Sequence, residues 1–133
     1  MINANTALFT DLTAEEGSTI SGGLQLLIKS IQCVKAGADI VGADEAILKV
    51  DGADVWKGSM SAGSRKVFDK PLSVNVGKGS FAGLYDDDGW FSRDDFMGGF
   101  TINGTQGPKT ITLSGSGSTY QVTYAVVDPV DPF

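Results

Sequence analysis

Phe81-Ala82-Gly83-Leu84-Tyr85, then Asp86-Asp87-Asp88-Gly89-Trp90-Phe91-Ser92-Arg93-Asp94-Asp95, then Phe96-Met97-Gly98-Gly99-Phe100-Thr101-Ile102 reads as a strand, an acidic loop and a second strand. Phe81, Leu84 and Tyr85 close the first strand, and Phe96, Phe100 and Ile102 alternate with small or polar residues along the second. Five aspartates between positions 86 and 95 face one opposing charge, Arg93. Carboxylates so crowded repel one another unless a cation lies among them. The chain has no histidine, and a donor set made only of oxygen favours calcium over zinc or copper.

An EF-hand is the first competitor for such a loop, and its pattern fails. With Gly89 at the loop's glycine, the first ligand position becomes Leu84 and the last is Asp95 where glutamate is expected. The aromatic and glycine-rich flanks are also poor helix formers.

The rest of the chain repeats the strand pattern. Leu24 to Val34 is apolar on both alternations, as for a central strand. Ala46-Ile47-Leu48-Lys49-Val50 leads into Asp51-Gly52, a type I′ hairpin signal, and Val55-Trp56-Lys57 returns from it. Lys66-Val67-Phe68 and Leu72 to Val76 follow, then the turn Gly77-Lys78-Gly79. Beyond Ile102 a hairpin-like turn at Asn103-Gly104 precedes Thr110 to Leu113, and a Ser/Gly turn from Ser114 to Ser118 precedes Tyr120 to Val126. Tyr120, Val122, Tyr124 and Val126 share one side, and Asp128-Pro129 ends the strand. These segments predict an all-β fold, an antiparallel β-sandwich of about eight strands over residues 24–127, with an extended tail at 128–133.

Composition agrees with a single glycine-rich domain. Of 133 residues, 41% are hydrophobic, 20% are charged and 18 are glycine, which suits a turn-rich globular chain. A formal charge of −6 with no basic stripe argues against a nucleic-acid partner. Cys33 is the single cysteine, so it cannot form an intramolecular disulfide and reads as a small buried hydrophobe. With no histidine base, no nucleophile elbow and no phosphate loop opening a helix, the chain does not read as an enzyme.

A second acidic cluster, Asp39 to Glu45, lies about 45 residues before the first. An even number of intervening strands would bring both clusters to one end of a sandwich, and the sequence permits four. This arrangement resembles the C2 domain, a calcium- and phospholipid-binding β-sandwich. Asp44 before Ala46-Ile47-Leu48-Lys49-Val50 is similar to that family's aspartate ahead of a strand, and Tyr85-Asp86-Asp87-Asp88 followed by Asp94-Asp95-Phe96-Met97-Gly98 is similar to its second metal loop. The resemblance implies calcium ligation by Asp39, Asp44, Asp86, Asp88 and Asp95, with the Asp87 carbonyl as a sixth donor. Asp94 and Asp95 are interchangeable at their position, because the loop is one residue longer than the pattern. Trp90 and Phe91 at the loop apex either fold back into the core or form an apolar binding tip.

The first 23 residues contain no lysine or arginine, and Asp11-Leu12-Thr13-Ala14-Glu15-Glu16 starts a capped helix that Gly22-Gly23 ends. Leu12, Glu16, Ile20, Gly22 and Gly23 resemble the double-glycine leader of bacteriocin-type peptides and small exported cyanobacterial proteins. That resemblance implies cleavage after Gly23 by a peptidase-containing ABC exporter and a secreted or cell-surface product, cytoplasmic if the leader stays. The alternative is an ordinary helix before the first strand. The expected function is an exported calcium-binding module whose loaded loops dock on an anionic membrane, a glycan or a protein. The competing expectation is a homo-oligomeric extracellular structural subunit, in a filament, surface layer or biofilm matrix, with calcium as a rivet. A bacteriocin-like effector rests on the leader alone.

Overall fold

A computed structural model describes residues 23–37, 43–87 and 94–129. They form eight strands: β1 (Leu24–Lys35), β2 (Ala43–Val50), β3 (Ala53–Ser61), β4 (Arg65–Val76), β5 (Phe81–Asp86), β6 (Asp95–Thr101), β7 (Gln106–Gly115) and β8 (Ser118–Val127). The strands build two four-stranded antiparallel sheets, one ordered β4-β1-β8-β7 and the other β3-β2-β5-β6. The all-β sandwich is as expected, and no helix occurs among the described residues. Residues 1–22, with the expected leader helix and Gly22, lie outside them. Gly23 immediately precedes β1.

The sheets enclose one core that includes Leu26, Ile28, Ile31, Leu48, Leu84, Met97, Ile102, Tyr120 and Val122, each almost fully buried. β1 lies between β4 and β8, but its double alternation has a different cause from burial on both faces. The pairing slips at Lys29, so Leu26 and Ile28 point inward before the bulge and Ile31 and Cys33 after it. An extra residue moves the inward set from even to odd positions. The two segments around Pro71 form one strand, β4, and its place at a sheet edge tolerates a residue without an N–H.

β6 shows the same device. Its pairing with β5 shifts between Gly83 and Tyr85, and Gly98 takes φ 116°. Phe96 therefore faces outward while Phe100 and Ile102 face the core, although the three appear in phase along the sequence. Gly98 and Gly115 also let β6 approach β7. A Cβ on Gly98 would lie 2.9 Å from both the Leu113 Cβ and the Ser114 nitrogen, and one on Gly115 would lie 2.7 Å from the Phe96 carbonyl oxygen. Asn103-Gly104 is not a hairpin turn but part of a passage from one sheet to the other.

Asp51 (φ 51°) and Gly52 (φ 85°) form the expected two-residue turn between β2 and β3. Asp51 does more than face solvent. Its Oδ1 accepts a hydrogen bond from the Phe81 N–H at 2.9 Å, and its own N–H donates to the Phe81 carbonyl at 2.9 Å. The hairpin is thereby tied to the start of β5.

Gly98→Ala should destabilise the chain by about 1–3 kcal/mol through backbone strain alone, a fall of several degrees in Tm by circular dichroism. Gly107→Ala, with nothing within 4 Å of the added Cβ, should leave Tm nearly unchanged.

Candidate functional site

Four strands, β2 to β5, separate the two acidic stretches, so the strand ends that flank both lie at one pole of the sandwich. The β3–β4 and β7–β8 turns lie at the same pole. Cys33 is tied to the β3–β4 turn, donating from its N–H to the Ser64 carbonyl at 2.9 Å and accepting from the Gly63 N–H at 2.7 Å.

Strand pleat divides the acidic residues into two sets. Asp86 pairs with Ala46 on one side and with Asp95 on the other. Directly opposed residues of an antiparallel ladder project to the same face, so Asp86 and Asp95 form a like-charge pair of the kind that destabilises a sheet. Asp86 is 5% exposed, and its Oδ1 accepts the Glu45 N–H at 2.8 Å. The Asp87 N–H returns to the Glu45 carbonyl at 2.9 Å, which fastens the start of the acidic loop to β2. Asp87 and Asp94 turn their side chains toward lysines of the neighbouring strands. Lys57 reaches Asp87 at 2.8 Å, and Lys49 reaches Asp94 at 3.6 Å and Asp54 at 3.3 Å. These exposed pairs hold both lysines above their ordinary pKa, chiefly through hydrogen bonds from Lys49 to Asp54 and from Lys57 to Asp87.

Asp44 is the unusual member. It lies on β2 two residues before Ala46, and its side chain has 0% exposure. Its Oδ2 accepts two hydroxyl bonds from β8 across the interior, Ser118 Oγ at 2.8 Å and Tyr120 Oη at 2.7 Å. Ser118 Oγ in turn accepts the Gly37 N–H at 3.2 Å. Asp44 Oδ1 has no hydrogen-bond partner among the described residues. A buried carboxylate oxygen without a partner costs on the order of 1–3 kcal/mol or more, so the arrangement is poised for a further donor or a cation.

Burial, then the bond to Asp44, holds the Tyr120 hydroxyl far above its ordinary pKa. Burial also raises the Cys33 thiol, and nearby Asp44 adds to that rise. Both groups are therefore neutral in the folded chain.

Of the sequence-predicted ligands, the structure brings Asp44, Asp86 and Asp95 to adjacent strands β2, β5 and β6 at one pole. It turns the Asp87 and Asp94 side chains toward Lys57 and Lys49. Asp39 and Asp88, and the tip residues Trp90 and Phe91, lie outside the described residues. Among the described residues no three carboxylate or thiol groups are close enough to hold a metal ion by themselves. What the pole does supply is hard oxygen, an orphaned Asp44 Oδ1 and an opposed carboxylate pair, which fits calcium in its chemistry. Ser118, Tyr120 and the Glu45 backbone escaped sequence reasoning. Tyr120 lies 76 positions from Asp44, and no local pattern links them.

No protein-family model matches this chain, and no curated protein matches it. Among solved structures, one described as a C2 domain aligns with 78% of this chain and 96% of its own length, at 17% identity and a TM-score of 0.48. A human GIVD cytosolic phospholipase A2 aligns with 81% of this chain at 15% identity and a TM-score of 0.43, and only 17% of that larger chain is covered.

Stability should fall at high pH. Cys33 and Tyr120 are raised above ordinary values of 9.0 and 10.0, so the stability tied to their neutral forms is complete below about pH 9 and is lost as pH rises further. The urea midpoint should be flat from about pH 7 to 8.5 and then drop. Tyr120→Phe should cost about 1–3 kcal/mol at pH 7 and flatten the alkaline fall.

Proposed function

We propose that this chain is a calcium-binding module whose acidic pole, once loaded, docks on an anionic lipid surface. The observation that carries the reading is the buried Asp44 carboxylate, whose Oδ1 has no partner among the described residues, on the strand next to those that carry the opposed Asp86 and Asp95. Calcium would supply charge to offset the repulsion and a partner for the orphaned oxygen. Asp39 and Asp88 are the residues expected to complete the set, since an ion of this kind takes about 6–8 oxygen ligands.

The chain's own residues have separate tasks in this scheme. Ser118 and Tyr120 occupy Asp44 Oδ2 and leave Oδ1 without a partner among the described residues. The Glu45 N–H fixes one oxygen of Asp86. Lys49 and Lys57 hold Asp94 and Asp87 on the outer face, which reduces the negative charge that the ion must offset. A loaded pole changes from repelling to attracting phosphate headgroups, and Trp90 and Phe91 are the proposed apolar contacts with the lipid interface. Export through a double-glycine leader is part of the same proposal, since the extracellular medium is rich in calcium.

Millimolar calcium should raise the Tm of the full chain, by the equivalent of about 2.7 kcal/mol when the ion is at a hundred times its Kd. Asp95→Asn should abolish that shift while keeping or raising the calcium-free Tm, because it removes one of two opposed like charges. Vesicles containing phosphatidylserine should sediment the chain with calcium and not with chelator. Absence of both a Tm shift and a heat of calcium binding would overturn the metal reading, whereas binding without sedimentation would overturn only the lipid partner.

A further inference from the structure

At the pole opposite the acidic loops, the two sheets leave a cavity of about 370 Å³ beneath the passage from β6 to β7. At the other end of the same edge the sheets meet closely, through Gly98 and Gly115, so the opening is a wedge. Phe100, Ile102, Ile111 and Val126 make its apolar wall. Strand register supplies the polar groups. Lys109 stands directly opposite Tyr124 in the β7–β8 ladder, and Gln106 stands opposite Val126. Opposed residues project to one face with Cβ atoms about 4.5–5.5 Å apart, and Tyr124 and Val126 belong to the core. Lys109 and Gln106 therefore point inward, in line with Ile111 and Leu113, where alternation calls for apolar side chains. An irregularity between Gln106 and Lys109 adds the residue that keeps both on the inner face.

A lysine pointing inward on an edge strand discourages strand addition, and β7 is such an edge. That role asks nothing of Tyr124. The Tyr124 side chain is 6% exposed, lines the cavity and makes no hydrogen bond among the described residues. Burial raises its pKa, so the hydroxyl remains a donor. Tyr120, on the same face of β8, gives its hydroxyl to Asp44, whereas Phe100, with its ring centroid 4.4 Å from that of Tyr124, fills its space without a polar atom. A phenylalanine at 124 would leave no buried group unbonded, so packing alone gives no reason for the hydroxyl. Charge around the wedge has one sign. No aspartate or glutamate lines it, and Lys109 makes no ion pair among the described residues. Lys78, whose Cε lies 4.0 Å from where a Cβ on Gly104 would be, makes none either. Lys49 and Lys57, by contrast, are both held by aspartates. A free ammonium beside a free hydroxyl offers two donors to one carboxylate, and charge-assisted bonds of this kind are the strong ones. The volume falls at the low end of the range of about 300–1,000 Å³ for ligand sites, which suits a small molecule.

We propose that this wedge binds a small amphiphilic carboxylate independently of calcium, its anionic end held by Lys109 and Tyr124 and its apolar body lying against Ile102, Ile111 and Val126. Calorimetric titration of the full chain with 2-naphthoate and with decanoate, chelator present, tests it and separates an aromatic body from an aliphatic one. At least one of the two should bind once per chain with a Kd below about 1 mM. 2-Naphthamide, which keeps the rings and loses the charge, should bind about tenfold or more weakly than 2-naphthoate wherever the latter binds. Lys109→Gln and Tyr124→Phe should each weaken binding about tenfold. Tyr124→Phe should also keep or raise the Tm of the unliganded chain, because it removes a buried hydroxyl that bonds nothing. A fall in that Tm would give the hydroxyl an internal partner and overturn the assignment. Asp95→Asn should leave carboxylate binding unchanged, so failure at this wedge is distinct from failure of the calcium reading. Circular dichroism establishes that each variant is folded. No binding of either acid overturns the proposal, as does binding that survives in a folded Lys109→Gln Tyr124→Phe chain.

Discussion

A carboxylate in the interior of a protein must be satisfied, and Asp44 meets that requirement by half. Two hydroxyls from β8 bond one of its oxygens, and the other oxygen has no partner among the described residues. This contact joins the two sheets at the pole, because Asp44 belongs to β2 and Ser118 and Tyr120 belong to β8. The Gly37 N–H bonded to Ser118 extends it to the segment after β1. A close approach of backbones supports the same point: a Cβ on Gly37 would lie 2.2 Å from the Gly117 carbonyl oxygen, so only glycine fits there. The pole is thus fastened from within, and the acidic residues are presented on a firm base.

Two bulges decide which side chains that base presents. At Lys29 the extra residue exchanges the inward set of β1, and the one near Gly98 exchanges that of β6. Without the second, Phe96 and Phe100 would share a face, and either the core would lose Phe100 or the outer face would lose the Phe96 ring beside Phe81 and Tyr85. Phe100 instead stacks on Tyr124 across the sandwich, with ring centroids 4.4 Å apart. The same strand therefore supports the core, the acidic pole through Asp95 and the aromatic face through Phe96. Insertion of one residue moves all later side chains to the opposite face, which is how one short strand serves three surfaces.

Alternation also separates the electrostatics of the acidic residues. Asp86 and Asp95 face each other, while Asp87 and Asp94, one step along the chain, meet Lys57 and Lys49. Exposed ion pairs of this sort add little stability, commonly under about 1 kcal/mol. Their effect here is directional: they assign two carboxylates to the outer face and leave the inward pair opposed. Of Asp94 and Asp95, which the loop pattern leaves interchangeable, only Asp95 stands opposite Asp86.

Much was legible in the chain itself. Period-2 apolar segments, the Asp51-Gly52 turn and the Ser/Gly turn before Tyr120 announce an antiparallel sandwich of eight strands, because local sterics and alternation need only neighbouring residues. Even the common pole of the two acidic stretches follows from counting strands. The sequence could not show that Asp44 is buried, that Ser118 and Tyr120 hold it from 74 and 76 positions away, or that Phe96 leaves the phase of Phe100. Those are decided by tertiary structure alone: a bulge depends on how two strands settle against each other, and a buried carboxylate finds its partners across the gap between sheets, where distance along the chain has no meaning.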